Sequence, residues 1–134
     1  MQSLAKLKNS PHPARKMRLL ADLVRGKSVE EALSILRFHN KKAYAIQMEK
    51  LINSAMANWE TKYEDADSAE AGLYVKTIMV DGGKTLKRIQ PAPQGRAHRI
   101  RKRSNHITVV LSATDDYSNE HAESFEEENV EENS

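Results

Sequence analysis

The chain has 134 residues, with 21 Lys and Arg, 19 Asp and Glu, no cysteine and a formal charge of +2. The lack of cysteine excludes disulfides and thiolate metal sites. There is no run of about 18 apolar residues to cross a membrane as a helix and no signal-peptide pattern at the start, so a soluble intracellular protein without membrane partners is expected.

Residues 1–9 read as a strand, with Lys6 and Lys8 on one face and Ala5 and Leu7 on the other. Pro11 and Pro13 bracket the start of a first helix, because proline is tolerated in a first turn. Met17, Leu20, Ala21 and Val24 follow at helical spacing, and Gly26 stands where a C-terminal cap belongs. Ser28 and Glu31 have capping-box spacing and open a second helix, with Val29, Ala32, Leu33 and Leu36 inward. Asn40 is the expected cap of a third, longer helix. Its stripe of Met48, Leu51, Ile52, Ala55, Met56 and Trp59 is that of a core-facing surface. Lys41 and Lys42 oppose the dipole in the first turn of that helix; either an external anion offsets them there or they are surface charges without a role.

Residues 63–72 are acidic and loop-like. Residues 73–80 (LYVKTIMV) form a strand, which Gly82 and Gly83 end or bulge. Residues 106–111 (HITVVL) form a second strand. Between them, residues 84–103 carry eight bases and no acid: Lys84, Lys87, Arg88, Arg96, Arg99, Arg101, Lys102 and Arg103. That run cannot enter a core, because its charges would be desolvated without partners. It needs a dense polyanion, and nucleic acid supplies one.

Two strands joined by this run predict a long hairpin over about residues 82–104. Pro91, Pro93 and Gly95 mark its bend, since proline is kept out of interior ladders. The ribbon is expected to project on the order of 30 Å and, as a lone pair of strands, to be marginal until bound. Residues 1–111 thus form one RNA-binding domain. Residues 112–134 read as a disordered acidic tail.

Charge is segregated along the chain. All 21 bases lie at or before Arg103, against ten acids upstream of residue 111, while residues 115–132 hold nine acids and no base. A basic body with an acidic extension points to nucleic acid.

Catalytic chemistry has no footing. The five histidines are scattered without metal-site spacing, Gly82-Gly83-Lys84 lacks the rest of a phosphate-binding loop, and no nucleophile stands beside a base. No enzyme, metal or cofactor is expected. His98 and His106 flank the basic run as RNA-contacting or structural residues.

Three segments, residues 16–36 (KMRLLADLVRGKSVEEALSIL), 50–60 (KLINSAMANWE) and 73–111, taken in order, resemble ribosomal protein twenty-two of the large subunit. The resemblance runs from about Ser10 to Leu111. It implies an α+β fold, with three helices on a three-stranded antiparallel sheet and a long protruding hairpin. It implies a structural constituent of the cytoplasmic large ribosomal subunit that binds rRNA, supports assembly and neighbours other large-subunit proteins. The hairpin tip would line the nascent-peptide tunnel, where changes in the family accompany macrolide resistance.

Carried over, the tip comprises Leu86, Lys87, Arg88, Ile89, Gln90, Pro91, Ala92, Pro93, Gln94, Gly95 and Arg96. The expected rRNA-binding residues are Arg15, Lys16, Arg18, Lys41, Lys42, Lys84, Lys87, Arg88, Arg96, His98, Arg99, Arg101, Lys102, Arg103 and His106. Two places depart from the family pattern. Asp81, Gly82, Gly83 and Lys84 replace D-E-G-P, and Ala92 takes away a tip arginine. The competing reading is a free-standing nucleic-acid-binding protein that lays the same ribbon in a groove. A protein-interaction module using the methionines of the third helix is disfavoured, because the core needs that stripe.

Overall fold

The computed structural model describes residues 2–64 and 67–114. Elements follow in the order β1 (Gln2–Ser10), α1 (Ala14–Val24), α2 (Val29–Arg37), α3 (Lys42–Lys62), a one-turn α4 (Ser68–Ala71), β2 (Tyr74–Pro91) and β3 (Ala97–Ser112). The strands form one antiparallel sheet in the order β1-β3-β2. α1, α2 and α3 lie on one face of it, giving the expected α+β architecture.

Each helix buries the stripe its sequence marks out. α1 buries Met17, Leu20, Ala21 and Val24; α2 buries Val29, Ala32 and Leu36. α3 buries Met48, Leu51, Ile52, Ala55 and Trp59, while Leu33 and Met56 are half-buried at the margin. They meet Ala5 from β1, Val75, Ile78 and Val80 from β2, and Ile107, Val109 and Leu111 from β3. Each fully buried aliphatic contributes roughly 1.5–3 kcal/mol.

The helix ends follow local chemistry. Pro13 precedes α1 in extended geometry, and its carbonyl accepts from the Met17 amide at 3.2 Å. Gly26 takes φ +77° after α1, a left-handed value that side chains resist. The Ser28 hydroxyl accepts from the Glu31 amide at 3.3 Å, which is one half of the anticipated capping box.

The expected cap of α3 is corrected. Lys41, not Asn40, occupies the cap position, with no side-chain cap bond, and its own amide donates to His39 Nδ1 at 3.1 Å. The histidine ring satisfies a donor that an asparagine cap would have left to itself. The loop reading of residues 63–72 is also amended, because Ser68–Ala71 form a helical turn and Ala71 is buried.

Both edges of the sheet are tied down by helices. On β2, Arg18 Nε donates to the Val80 carbonyl at 3.1 Å and Arg25 donates to the Ile78 carbonyl at 2.9 Å. On β1, Asn58 reaches the Leu4 carbonyl at 3.0 Å and Lys62 the Gln2 carbonyl at 3.1 Å. Such cover keeps edge strands from pairing with other chains.

The folded body continues slightly past Leu111. Ser112 still pairs in the sheet, Ala113 is buried, and the Thr114 amide and hydroxyl both donate to the Ala71 carbonyl at 3.2 Å. The acidic stretch expected to be disordered lies, from residue 115 onward, outside the described residues.

Candidate RNA-binding surface

β2 and β3 run past the body as a two-stranded ribbon, so the basic arms are themselves strands. Seven rungs, from Thr85 opposite Arg103 to Pro91 opposite Ala97, form the ribbon. At about 3.3 Å per residue they project on the order of 20 Å before the tip.

Alternation divides the side chains between two faces. Thr85, Lys87 and Ile89 share one face with Arg99, Arg101 and Arg103. Leu86, Arg88 and Gln90 share the other with His98, Ile100 and Lys102. Three rungs set a cation against an aliphatic residue: Leu86 with Lys102, Arg88 with Ile100, and Ile89 with Arg99. Long basic side chains can lay their stems on such neighbours and keep their charges in water. Lys87 instead faces Arg101 directly, a like-charge rung that is destabilising by several tenths of a kcal/mol and is relieved by an anion.

Apart from half-buried Ile100, these side chains are exposed, and no cation of residues 84–103 is in an ion pair among the described residues. The ion pairs present lie on the helices, such as Arg25–Asp22 at 2.7 Å and Arg37–Glu49 at 3.3 Å.

A bulge joins the ribbon to the body. Between Gly82 and Thr85 the register slips, so β2 carries one residue more than β3. The extra residue keeps Lys87 on the face of the three β3 arginines. Gly83 is required by space: a Cβ there would sit 2.6 Å from Ser104 Oγ and 3.2 Å from His106 Cε1. The Ser104 hydroxyl closes the bulge by donating to the Lys84 carbonyl at 2.6 Å. The Gly82-Gly83 pair signalled an interruption; nothing in the sequence singled out Ser104.

At the tip, residues Pro93–Gly95 reverse the chain, and the Ala92 amide donates to the Arg96 carbonyl at 2.7 Å across the turn. Gln94 and Gly95 both take left-handed φ, +65° and +73°. Gly95 does so freely; Gln94 at a cost of about 1–2 kcal/mol.

The foot of the ribbon gathers other expected site residues. The Asn105 amide group donates to the His12 carbonyl at 2.7 Å, and the His12 ring lies 4.2 Å from that of Tyr44. Through these contacts the first turns of α1 and α3, with exposed Arg15, Lys16, Lys41 and Lys42, stand near the base. Arg18 is exposed but anchored on β2. His106 is half-buried, and its Nδ1 accepts the Asn9 amide at 3.0 Å, leaving Nε2 as the atom that can donate outward.

The ribosomal protein L22p/L17e family model matches residues 5–112, which include the whole ribbon. The chain belongs to this family. Among curated relatives of L22p/L17e type, the large ribosomal subunit protein uL22 of Christiangramia forsetii is 63% identical over 111 residues, 83% of this chain and 82% of that protein. The same protein of Flavobacterium psychrophilum is 60% identical over 111 residues, 83% and 80% of the two chains. That of Porphyromonas gingivalis is 53% identical over 115 residues, 86% and 84%. As an L22p/L17e member, the chain is a structural constituent of the large subunit of the cytoplasmic ribosome and not an enzyme.

Proposed function

We propose that this protein binds large-subunit rRNA chiefly through the β2–β3 ribbon, supports subunit assembly through that contact, and places the ribbon tip in the wall of the nascent-peptide tunnel. The observation that carries the reading is the ribbon itself: cations on both faces, no acid, and no ion pair to occupy them among the described residues. A groove reader would need one base-reading face; a ribbon charged on both faces suits passage between RNA segments. The rRNA-contacting set is Lys84, Lys87, Arg88, Arg96, His98, Arg99, Arg101, Lys102 and Arg103. Arg15, Lys16, Arg18, Lys41, Lys42 and His106 add to it at the ribbon foot. Large-subunit neighbours contact the body, and the nascent peptide passes residues 86–96.

Ultraviolet crosslinking of purified large subunits, followed by mapping of the bonded residues, tests the RNA assignment. Crosslinks are expected on both ribbon faces, at Arg88 or Lys102 as well as at Arg99 or Arg101. Crosslinks confined to α1, α2 and α3 would reject it.

A further inference from the structure

We infer that the acidic segment of residues 123–132 docks on the ribbon of its own chain in the free protein, competes there with arbitrary RNA, and is displaced when rRNA binds. The inference rests on the ribbon reading and adds an occupant for the ribbon before rRNA arrives.

The two halves are complementary in charge. Residues 84–103 hold eight bases and no acid, and none of those bases is in an ion pair among the described residues. Lys87 faces Arg101 across one rung, so an anion laid on the free ribbon relieves a like-charge contact. Residues 115–132 hold nine acids and no base, and six of the acids fall between Glu123 and Glu132. A tethered segment is present at high local concentration, which lets weak ion pairs compete with a dilute ligand. Large-subunit rRNA still wins, because it also meets the ribbon foot and releases condensed counterions on binding.

The start of the segment is fixed by the fold. The Thr114 amide and hydroxyl both donate to the Ala71 carbonyl at 3.2 Å, and a Cβ on Gly72 would lie 3.0 Å from Thr114 Cγ2. The cleft at Gly72 is lined by Ser28, Glu30 and Ser68 among others, with an acid and no base. Lys27, next to Ser28, faces Glu31 at 3.8 Å. The acids after Thr114 thus start beside like charge.

Reach then selects which acids meet the ribbon. Arg103 stands nine residues back from Ser112 along β3, a distance of about 30 Å at about 3.3 Å per residue. Asp115 and Asp116 follow Thr114 directly and extend no more than about 7 Å beyond it. They fall far short of Arg103. Glu127 and Glu128 come 13 and 14 residues after Thr114, a span of up to about 45 Å. That length covers Arg103, Lys102 and Arg101, with Lys84 and Lys87 on the facing arm.

The test compares three full-length proteins: the wild type, the distal pair Glu127→Gln, Glu128→Gln, and the proximal pair Asp115→Asn, Asp116→Asn. The two variants change net charge equally, and only the distal pair should touch the ribbon. The probe is a polyuridine oligomer at low salt. The distal variant is expected to bind roughly threefold tighter than the wild type, by the strength of exposed ion pairs. The proximal variant should match the wild type, and high salt should erase the difference. Carbodiimide coupling of the free wild-type protein should join residues 123–132 to Lys84, Lys87 or Lys102, and an excess of large-subunit rRNA should abolish those links. Equal gains in both variants would reduce the effect to net charge and overturn the docking. Links confined to lysines of the body, such as Lys6 or Lys76, would also overturn it. Equal affinity in all three proteins, with affinity lost when Arg99, Arg101, Lys102 and Arg103 are neutralised, overturns the docking and spares the ribbon. No loss on neutralising those four overturns both.

Discussion

Replacing Arg99, Arg101, Lys102 and Arg103 together with glutamine is expected to flatten the salt dependence of rRNA binding by about three units of log–log slope, since each lost phosphate contact removes roughly 0.7 to 0.9. The faces of the ribbon refine this. Arg99, Arg101 and Arg103 share one face and Lys102 lies on the other, so the three arginines should account for about three-quarters of the loss if every site meets a phosphate. Folding should be untouched, because these side chains are exposed and none belongs to the buried core. Removing the like-charge rung of Lys87 and Arg101 should even steady the free ribbon by a few tenths of a kcal/mol. A slope equal to that of the wild type, or loss of helical circular dichroism in the variant, would sink the assignment.

Deleting Leu86, Lys87 and Arg88 is expected to move the tip while the body still docks. The deletion takes three residues from β2 and none from β3. An odd number reverses the faces downstream, so Ile89 and Pro91 must cross to the opposite face or the arm must bulge. The β2 arm shortens by roughly 10 Å at about 3.3 Å per residue. The body is held by contacts remote from the change, such as Ser3 Oγ donating to the Ala55 carbonyl at 2.8 Å within the β1–α3 interface. Subunits should therefore assemble and form peptide bonds, with altered sensitivity to macrolides and to arrest peptides. Normal assembly with unchanged responses to both would count against the tip as a tunnel wall.

Much of this molecule is legible in its sequence because its signals are local. The stripes of α1, α2 and α3 bury what their spacing marks out, since a helix needs only its own period to choose a face. The ribbon is legible for the converse reason, as residues 84–103 have too few aliphatic side chains to be hidden. What escapes is contact between distant segments. Nothing near Lys41 announces that His39 will satisfy its amide in place of a cap by Asn40. The glycine pair announces an interruption at residues 82–83, but not that Ser104, twenty residues away from Lys84, closes it.

The central claim is that the ribbon reaches through RNA to the path of the nascent chain. The chain contains no cysteine, so Gln90→Cys, on an exposed rung beside the tip opposite His98, can carry a single photoreactive group. In translating ribosomes that carry this variant, illumination should yield adducts with both rRNA and the nascent peptide. A control label at exposed Glu31→Cys on α2 should give none with the peptide. Adducts with neither partner at Gln90→Cys, in subunits that have incorporated the labelled protein, would contradict the claim.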